Sequence, residues 1–85
     1  MKILKFYADW CGPCKVLTKS FESAGIEHTP VNADEDEELC AKYNVRNLPT
    51  VVAIKDSGEE VRRFTGIKSA KDLTTWMESL KGYNE

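Results

Sequence analysis

The sequence is poor in the features that several classes of protein need. No apolar run approaches the roughly 18 residues of a membrane-spanning helix, and Met1–Lys5 has neither the apolar core nor the cleavage site of a secretory signal. A net charge of −2 lacks the positive excess that favours non-specific nucleic-acid binding. We therefore expect a cytoplasmic, monomeric protein that binds neither membrane nor nucleic acid. Its 85 residues predict a single domain, 1–85.

Cysteine is scarce: the chain has three. An odd number with one close pair does not indicate a disulfide framework; it is typical of a catalytic dithiol, Cys11 and Cys14, plus one further thiol. A structural zinc site needs four ligands, but only Cys40 and the one histidine, His28, remain, and they lack a compact ligand spacing. We predict no metal site. Cys40 is interpreted as a small, partly buried hydrophobe, with a regulatory thiol as the alternative.

The paired cysteines lie between a predicted strand and a predicted helix. Ile3–Ala8 is rich in aliphatic and aromatic residues, and 15–24 has apolar residues at helical spacing. Pro13 then falls in the first helical turn, where its missing N–H needs no partner. The free N–H groups of a helix start stabilise a thiolate, so Cys11 is predicted to attack a disulfide and Cys14 to resolve the mixed disulfide. The motif predicts a redox-active dithiol.

The remaining chain predicts alternating elements. We expect a short strand at 29–31, a helix after the acidic run 32–38, a strand at 51–54, a hairpin turn at 56–59 and a strand at 60–65. A last helix is capped by Ser69 and has an apolar stripe that reaches Leu80, with Gly82 ending it and 83–85 as a tail. In the first helix the buried face is predicted to hold Val16, Leu17, Phe21 and Ala24. The fold class is α/β, in the order β-α-β-α-β-β-α, with a four-stranded mixed sheet and three helices.

Two segments of the sequence resemble the thioredoxin family. They are Trp10-Cys11-Gly12-Pro13-Cys14, which follows a hydrophobic strand, and Asn47-Leu48-Pro49-Thr50. The resemblance extends from Ile3 to about Leu80. It implies a thioredoxin-like fold and the reduction of protein disulfides, with the Cys11–Cys14 disulfide as the only required redox group and no other cofactor.

The resemblance also implies a substrate-binding surface. The Leu48–Pro49 bond is expected to be cis and to pack against the dithiol, which leaves the backbone of Leu48 free to pair with an extended substrate segment. Gly66 and Ile67 are expected beside Cys11, where a residue without Cβ would allow a substrate backbone to approach. The alternative for Gly66 is a simple turn glycine.

Three neighbours of the cysteines are predicted to tune the site. Pro13 stiffens the helix start, and Gly12 keeps the approach to Cys11 open. Trp10 is expected to shield one side of the dithiol, unless it is an edge aromatic half in the core.

Lys5 departs from the family pattern. It stands six residues before Cys11, where many thioredoxins have a buried aspartate that assists proton transfer. We hypothesise that Lys5 lies behind the site and favours a thiolate by its charge, or exchanges a proton with Cys14. The alternative is that it extends to water. Asp9 is a further candidate proton carrier, although a solvent-facing position in the loop suits it better.

The length of the chain resembles that of glutaredoxins, whereas its C-x-x-C motif resembles that of thioredoxins. The chain lacks the additional N-terminal strand and helix of longer thioredoxins, and its length and order are closer to those of glutaredoxins, whereas its motif is thioredoxin-like. We therefore expect protein disulfides as substrates and a thioredoxin reductase or glutathione as electron donor. The alternatives are a glutathione-dependent glutaredoxin and a binding or chaperone module without turnover; an iron–sulfur site at Cys11 is least favoured, because Pro49 would crowd it.

Overall fold

Four strands form one mixed sheet in the computed structural model, which describes residues 1–83. The elements in chain order are β1 (Lys2–Tyr7), α1 (Gly12–Ala24), β2 (Thr29–Asn32), α2 (Glu37–Lys42), β3 (Thr50–Ile54), β4 (Glu60–Thr65) and α3 (Ala70–Glu78). This order confirms the predicted β-α-β-α-β-β-α arrangement.

The sheet has the strand order β2-β1-β3-β4. β1 pairs in parallel with β2 and antiparallel with β3, which in turn pairs antiparallel with β4. All five residues of β3 are buried, as its uninterrupted apolar sequence predicts for an interior strand. Pro30 lies in β2, at the edge of the sheet, where a missing N–H is tolerated.

Two apolar clusters cover the two faces of the sheet because side chains along a strand alternate in direction. Ile3 packs with Leu17 of α1 and Leu73 of α3 on one face. Leu4 and Phe6 pack on the other face, with Val31, Tyr43 and Val52. The sheet is thus flanked by three helices, and Lys5 shares the orientation of Ile3.

Val16 is not on the buried face of α1, so that part of the prediction is wrong. Its side chain is 49% exposed, while Cys14, Leu17 and Phe21 are buried. These three residues are spaced by three and four positions and therefore form one stripe, and Val16 lies about 100° around the helix from Leu17. Gly25 ends α1 in the left-handed conformation, with φ of 65°, as expected.

The last helix is shorter than its apolar stripe suggests. α3 ends at Glu78, and a turn follows it, although Leu80 is still buried. The Ser79 hydroxyl donates to the Trp76 carbonyl at 2.5 Å, and the amide of Leu80 donates instead to Met77. This competition for a helical acceptor explains the early end. Of the predicted tail, 84 and 85 lie outside the described residues.

Candidate active site

Cys11 and Cys14 form a disulfide at the turn between β1 and α1. Their Cα atoms are 5.3 Å apart, within the usual range for a disulfide. Cys11 is the N-cap of α1, with an extended backbone, and Pro13 lies in the first turn. The predicted position of the dithiol at a helix start is therefore confirmed.

The helix start presents an N–H group to one of the two sulfurs. The amide of Cys14 donates to Sγ of Cys11 at 3.1 Å. Cys11 and Cys14 are 4% and 2% exposed, so burial does not distinguish them. The hydrogen bond does, because after reduction it would stabilise negative charge on Cys11.

The loop before β3 packs against the disulfide. Leu48 contacts the small buried cluster of Ala8, Cys11 and Cys14. The Leu48–Pro49 bond is cis, as the family resemblance implies, and Pro49 is fully buried. The Pro49 carbonyl accepts a hydrogen bond of 2.9 Å from the amide of Gly66, so the loop after β4 is joined to this side of the site.

Trp10 is not half in the core, and that interpretation is wrong. Its side chain is 71% exposed, and its Nε1 donates to Oδ2 of Asp34 at 3.0 Å. Ile67, next to Gly66, is also exposed, at 52%. Trp10, Val16 and Ile67 thus present apolar surface to solvent from three segments that adjoin the disulfide or the loop packed on it.

Lys5 is buried beneath α1 and does not extend to water. It is 3% exposed, and its Nζ donates to Oγ1 of Thr18 at 2.5 Å. The Thr18 hydroxyl in turn donates to the carbonyl of Cys14 at 3.0 Å. Burial lowers the pKa of Lys5, and the negative charge of Glu22 opposes that effect.

A cleft of about 360 Å³ opens beside Cys14. Its lining includes Thr18 and four charged side chains. Asp9 is one of these and is exposed, which agrees with its expected position in the loop. The cleft connects the Cys14 side of the disulfide with solvent. It is lined by Tyr7, Ala8, Asp9, Cys14, Lys15, Thr18, Lys19 and Glu22.

The third cysteine lies apart from this site. Cys40 is half-buried, with its Sγ 4.0 Å from the carbonyl of Ala33. Burial, followed by the nearby carboxylate of Asp36, raises the pKa of the Cys40 thiol. Within residues 1–83, no three His, Cys, Asp or Glu side chains are grouped so as to hold a metal ion.

The sequence model of the thioredoxin family matches residues 1–79. The chain belongs to the thioredoxin family. Thioredoxin-T of Drosophila melanogaster is 38% identical over 94% of the chain, which spans only about half of that protein, 54%. The thioredoxin of Chlamydia pneumoniae is also 38% identical, over 85% of the chain and 74% of its own length.

Solved thioredoxin structures have the same fold. The thioredoxin of Fasciola hepatica superposes with a TM-score of 0.75 at 38% identity, covering 89% of this chain and 77% of its own. Chloroplastic thioredoxin z has a TM-score of 0.80 at 27% identity, with 95% and 78% covered. The Cys11–Cys14 disulfide thus lies at the C-x-x-C motif of a thioredoxin-family chain.

Two residues of this thioredoxin site were not identified from the sequence. Thr18 follows Cys14 by four positions, so helical geometry places both on one face of α1 and is the signal that would find it. Asp34, the partner of Trp10, lies just beyond β2. Because β1 and β2 are parallel, the segments that follow them emerge at the same edge of the sheet.

No helix within residues 1–83 has the length and apolar character needed to cross a membrane.

Proposed function

We propose that the protein reduces disulfide bonds in other proteins by dithiol–disulfide exchange at Cys11 and Cys14. The observation that carries the proposal is the position of the disulfide at the start of α1, where the amide of Cys14 donates a hydrogen bond to Sγ of Cys11. The reduced Cys11 thiolate attacks one substrate sulfur, forms a mixed disulfide and displaces the other sulfur as a thiolate. Cys14 then attacks Cys11, so that two electrons pass to the substrate and the Cys11–Cys14 disulfide forms.

The proposed substrate surface combines backbone and apolar contacts. The main chain of Leu48 pairs with an extended substrate segment, a mode of binding that grips many sequences through backbone hydrogen bonds. Trp10 and Ile67 supply exposed apolar surface, and Gly66 is held near the site by its bond to Pro49. Gly12 and Pro13 shape the helix start. Such a surface suits partly unfolded proteins with exposed disulfides.

Trapping of substrate is the experiment that tests this function. Cys14→Ser leaves the attacking thiol in place but removes the resolving one, so we expect it to accumulate a mixed disulfide with a disulfide-containing protein such as insulin. Cys11→Ser is expected to form no adduct through position 11 and to reduce insulin no faster than the buffer does. Cys40→Ser, which changes a thiol outside the site, should reduce insulin at the parent rate.

The same experiment separates the proposed chemistry from a non-catalytic role. If the parent itself reduced insulin no faster than the buffer does, the fold would serve as a binding or chaperone scaffold without turnover. Absence of an adduct with Cys14→Ser would contradict the proposed order of attack.

We propose a thioredoxin reductase as the electron donor, with glutathione as the alternative. The WCGPC motif supports the former. A reduction potential near −270 mV, measured against a glutathione buffer, would favour a general reductant, whereas a value above roughly −200 mV would favour a glutaredoxin-like role.

The cellular setting is proposed with the function. A dithiol reductant works in a reducing compartment, and we place the protein in the cytoplasm, acting as a monomer through a single domain. A mitochondrial thioredoxin of Mus musculus is 35% identical over 94% of the chain, so the mitochondrion is the alternative compartment.

A further inference from the structure

A charged side chain lies in the interior next to the redox site. Among residues 1–83, the polar or charged residues that are buried are Lys5 and Thr50. The hydroxyl of Thr50 donates to the Asn47 carbonyl, which satisfies it locally. Lys5 is different, because burying an ammonium group is costly and needs a compensating role or contact.

The contacts of Lys5 lead toward Cys14. Its Nζ lies 5.6 Å from the ring centre of Phe21 and 6.0 Å from that of Tyr7, and it donates to Thr18. Thr18 donates to the Cys14 carbonyl and lines the cleft that Cys14 also lines. Lys5 therefore lies one hydrogen-bonded side chain away from the Cys14 residue.

We infer that Lys5 is a positioning residue that, through Thr18, holds a positive charge behind Cys14 and favours its thiolate in the step that resolves the mixed disulfide. The inference rests on the proposed function, in which Cys14 is the resolving thiol. The helix start already favours the thiolate of Cys11 through the Cys14 amide. Cys14 lies one turn further in, and the buried ammonium is joined to its backbone carbonyl through the Thr18 hydroxyl.

The other charges around this position do not replace Lys5. Lys15 and Lys19 line the cleft but are exposed, so water and salt screen them more strongly than a buried charge. Asp9 and Glu22 line the same cleft, and their negative charges oppose a thiolate there. Burial first, and then the charge of Lys5, lowers the pKa of His28, so this imidazole adds little positive charge at neutral pH.

The resolving step balances without a further reactant. The Cys14 thiol releases its proton to water in the cleft, and its thiolate attacks Sγ of Cys11. The Cys11–Cys14 bond forms as the bond between Cys11 and the substrate sulfur breaks, and the substrate leaves as a thiolate that takes up a proton. Lys5 keeps its proton throughout and acts by its charge and by its bond to Thr18.

Thermodynamic linkage gives a test in the unmodified protein. If the Lys5 ammonium favours the Cys14 thiolate, the thiolate must favour the ammonium equally. A ¹⁵N NMR titration of Nζ should therefore give Lys5 a higher pKa in the reduced than in the oxidised protein, by about one unit for a strongly coupled pair. In Cys14→Ser, which cannot form the disulfide and has no Cys14 thiolate, Lys5 should keep the pKa that it has in the oxidised parent. Equal pKa values of Lys5 in the two states of the parent, or a pKa of Lys5 in Cys14→Ser as high as in the reduced parent, would overturn the inference.

A kinetic test measures the resolving step itself. Thionitrobenzoate is attached to Cys11 as a mixed disulfide, and its release by Cys14 is followed by absorbance across pH. For Lys5→Met we expect release about three- to fourfold slower at pH 7, because a one-unit rise in thiol pKa lowers the thiolate fraction tenfold while the more basic thiolate is the better nucleophile. At alkaline pH, where the thiol of both proteins is ionised, the slowing should disappear. Lys19→Met removes a charge from the same cleft but from an exposed position, and should stay close to the parent.

The outcomes separate this inference from the proposed function. Coincident pH profiles of Lys5→Met and the parent, or a slowing that is equal at every pH, would contradict the electrostatic role. If Lys5→Met does not fold, the titration of the parent decides alone. Failure of the parent to reduce insulin would contradict the proposed function, while the release of thionitrobenzoate would still report on Lys5.

Discussion

Gly66 follows β4 with a φ of +88°, a conformation that side chains with Cβ rarely adopt. A Cβ added there would have no atom within 4 Å, so steric crowding does not explain the glycine. Gly66→Ala should therefore destabilise the protein by about 1–2 kcal/mol through the backbone alone, measured by urea unfolding. Gly12→Ala is the matched control, since Gly12 also has open space but no positive φ. An unchanged unfolding midpoint for Gly66→Ala would contradict the predicted backbone strain. A raised KM of Gly66→Ala for insulin would also support close approach of the substrate backbone to Gly66.

His28 makes the stability of the protein sensitive to mild acid. Its ring lies 4.3 Å from that of Phe21, and burial lowers its pKa below the ordinary 6.5. The unfolded chain then binds a proton more readily than the folded one, so stability is fully present above about pH 6.5 and falls as the pH drops below it.

His28→Gln should remove this dependence. His28 is the one histidine of the chain, so the difference in unfolding free energy between parent and variant isolates its titration from that of the carboxylates. Urea unfolding at several pH values from 5 to 7.5 measures that difference. A difference that stays constant over this range would show that the imidazole is not perturbed in the folded state.

At the scale of the elements, the start of α3 depends on a single side chain. Oγ of Ser69 accepts a hydrogen bond of 3.1 Å from the amide of Asp72, as the sequence predicts for an N-cap. Ser69→Ala should lower the free energy of unfolding by about 1 kcal/mol, because that amide loses its partner. Ser69→Asp, which retains an acceptor, should restore most of the loss. If both variants unfolded at the same urea concentration, the hydrogen bond would not be the cause.

The elements themselves could be predicted because their signals are local. Periodicity and caps identified all seven, and the C-x-x-C motif identified the disulfide. The details that were predicted wrongly depend on interactions between elements or on competition for hydrogen-bond acceptors. In β3, Ala53 pairs with Arg62 of β4 but Ile54 pairs with Glu60, so Val61 is an extra residue in a bulge.

The roles of the individual acidic residues before α2 also could not be predicted from the sequence. Asp36 is the cap, with its Oδ1 accepting the amide of Leu39, and only Glu37 and Glu38 lie in the first turn. Asp34 lies ahead of the helix, where it binds Trp10. Composition predicted acids at a helix start, but which of them caps the helix and which reaches the active site depends on the packing of the sheet.

At the scale of the whole molecule, the position of Lys5 is a compromise between stability and chemistry. A sheet covered by helices offers an apolar interior, and β1 directs Lys5 into it toward α1. The sequence could place Lys5 on a strand but not beside Thr18, because that contact joins two elements. A buried charge that is joined through Thr18 to the backbone of a redox cysteine is the kind of feature that a functional site retains at a cost in stability.

This cost gives a pH-dependent prediction for Lys5→Met in the oxidised protein. The pKa of Lys5 is lowered from 10.5 on folding, so the charged form disfavours the folded state. As the pH rises above the folded pKa toward 10.5, the parent should gain stability that the variant does not. The unfolding free energy of Lys5→Met relative to the parent should therefore be highest near pH 7 and fall toward pH 10, as measured by urea unfolding.

Lys19→Met is the control for that series, because it removes one lysine charge from an exposed position. A flat difference for Lys5→Met would mean that the buried ammonium carries no penalty. The release of thionitrobenzoate measures the effect of the Lys5 charge on the resolving step, and the urea unfolding measures its effect on stability. If Lys5 favours the Cys14 thiolate while disfavouring the fold, the same substitution must slow the resolving step and relieve the pH-dependent loss of stability together.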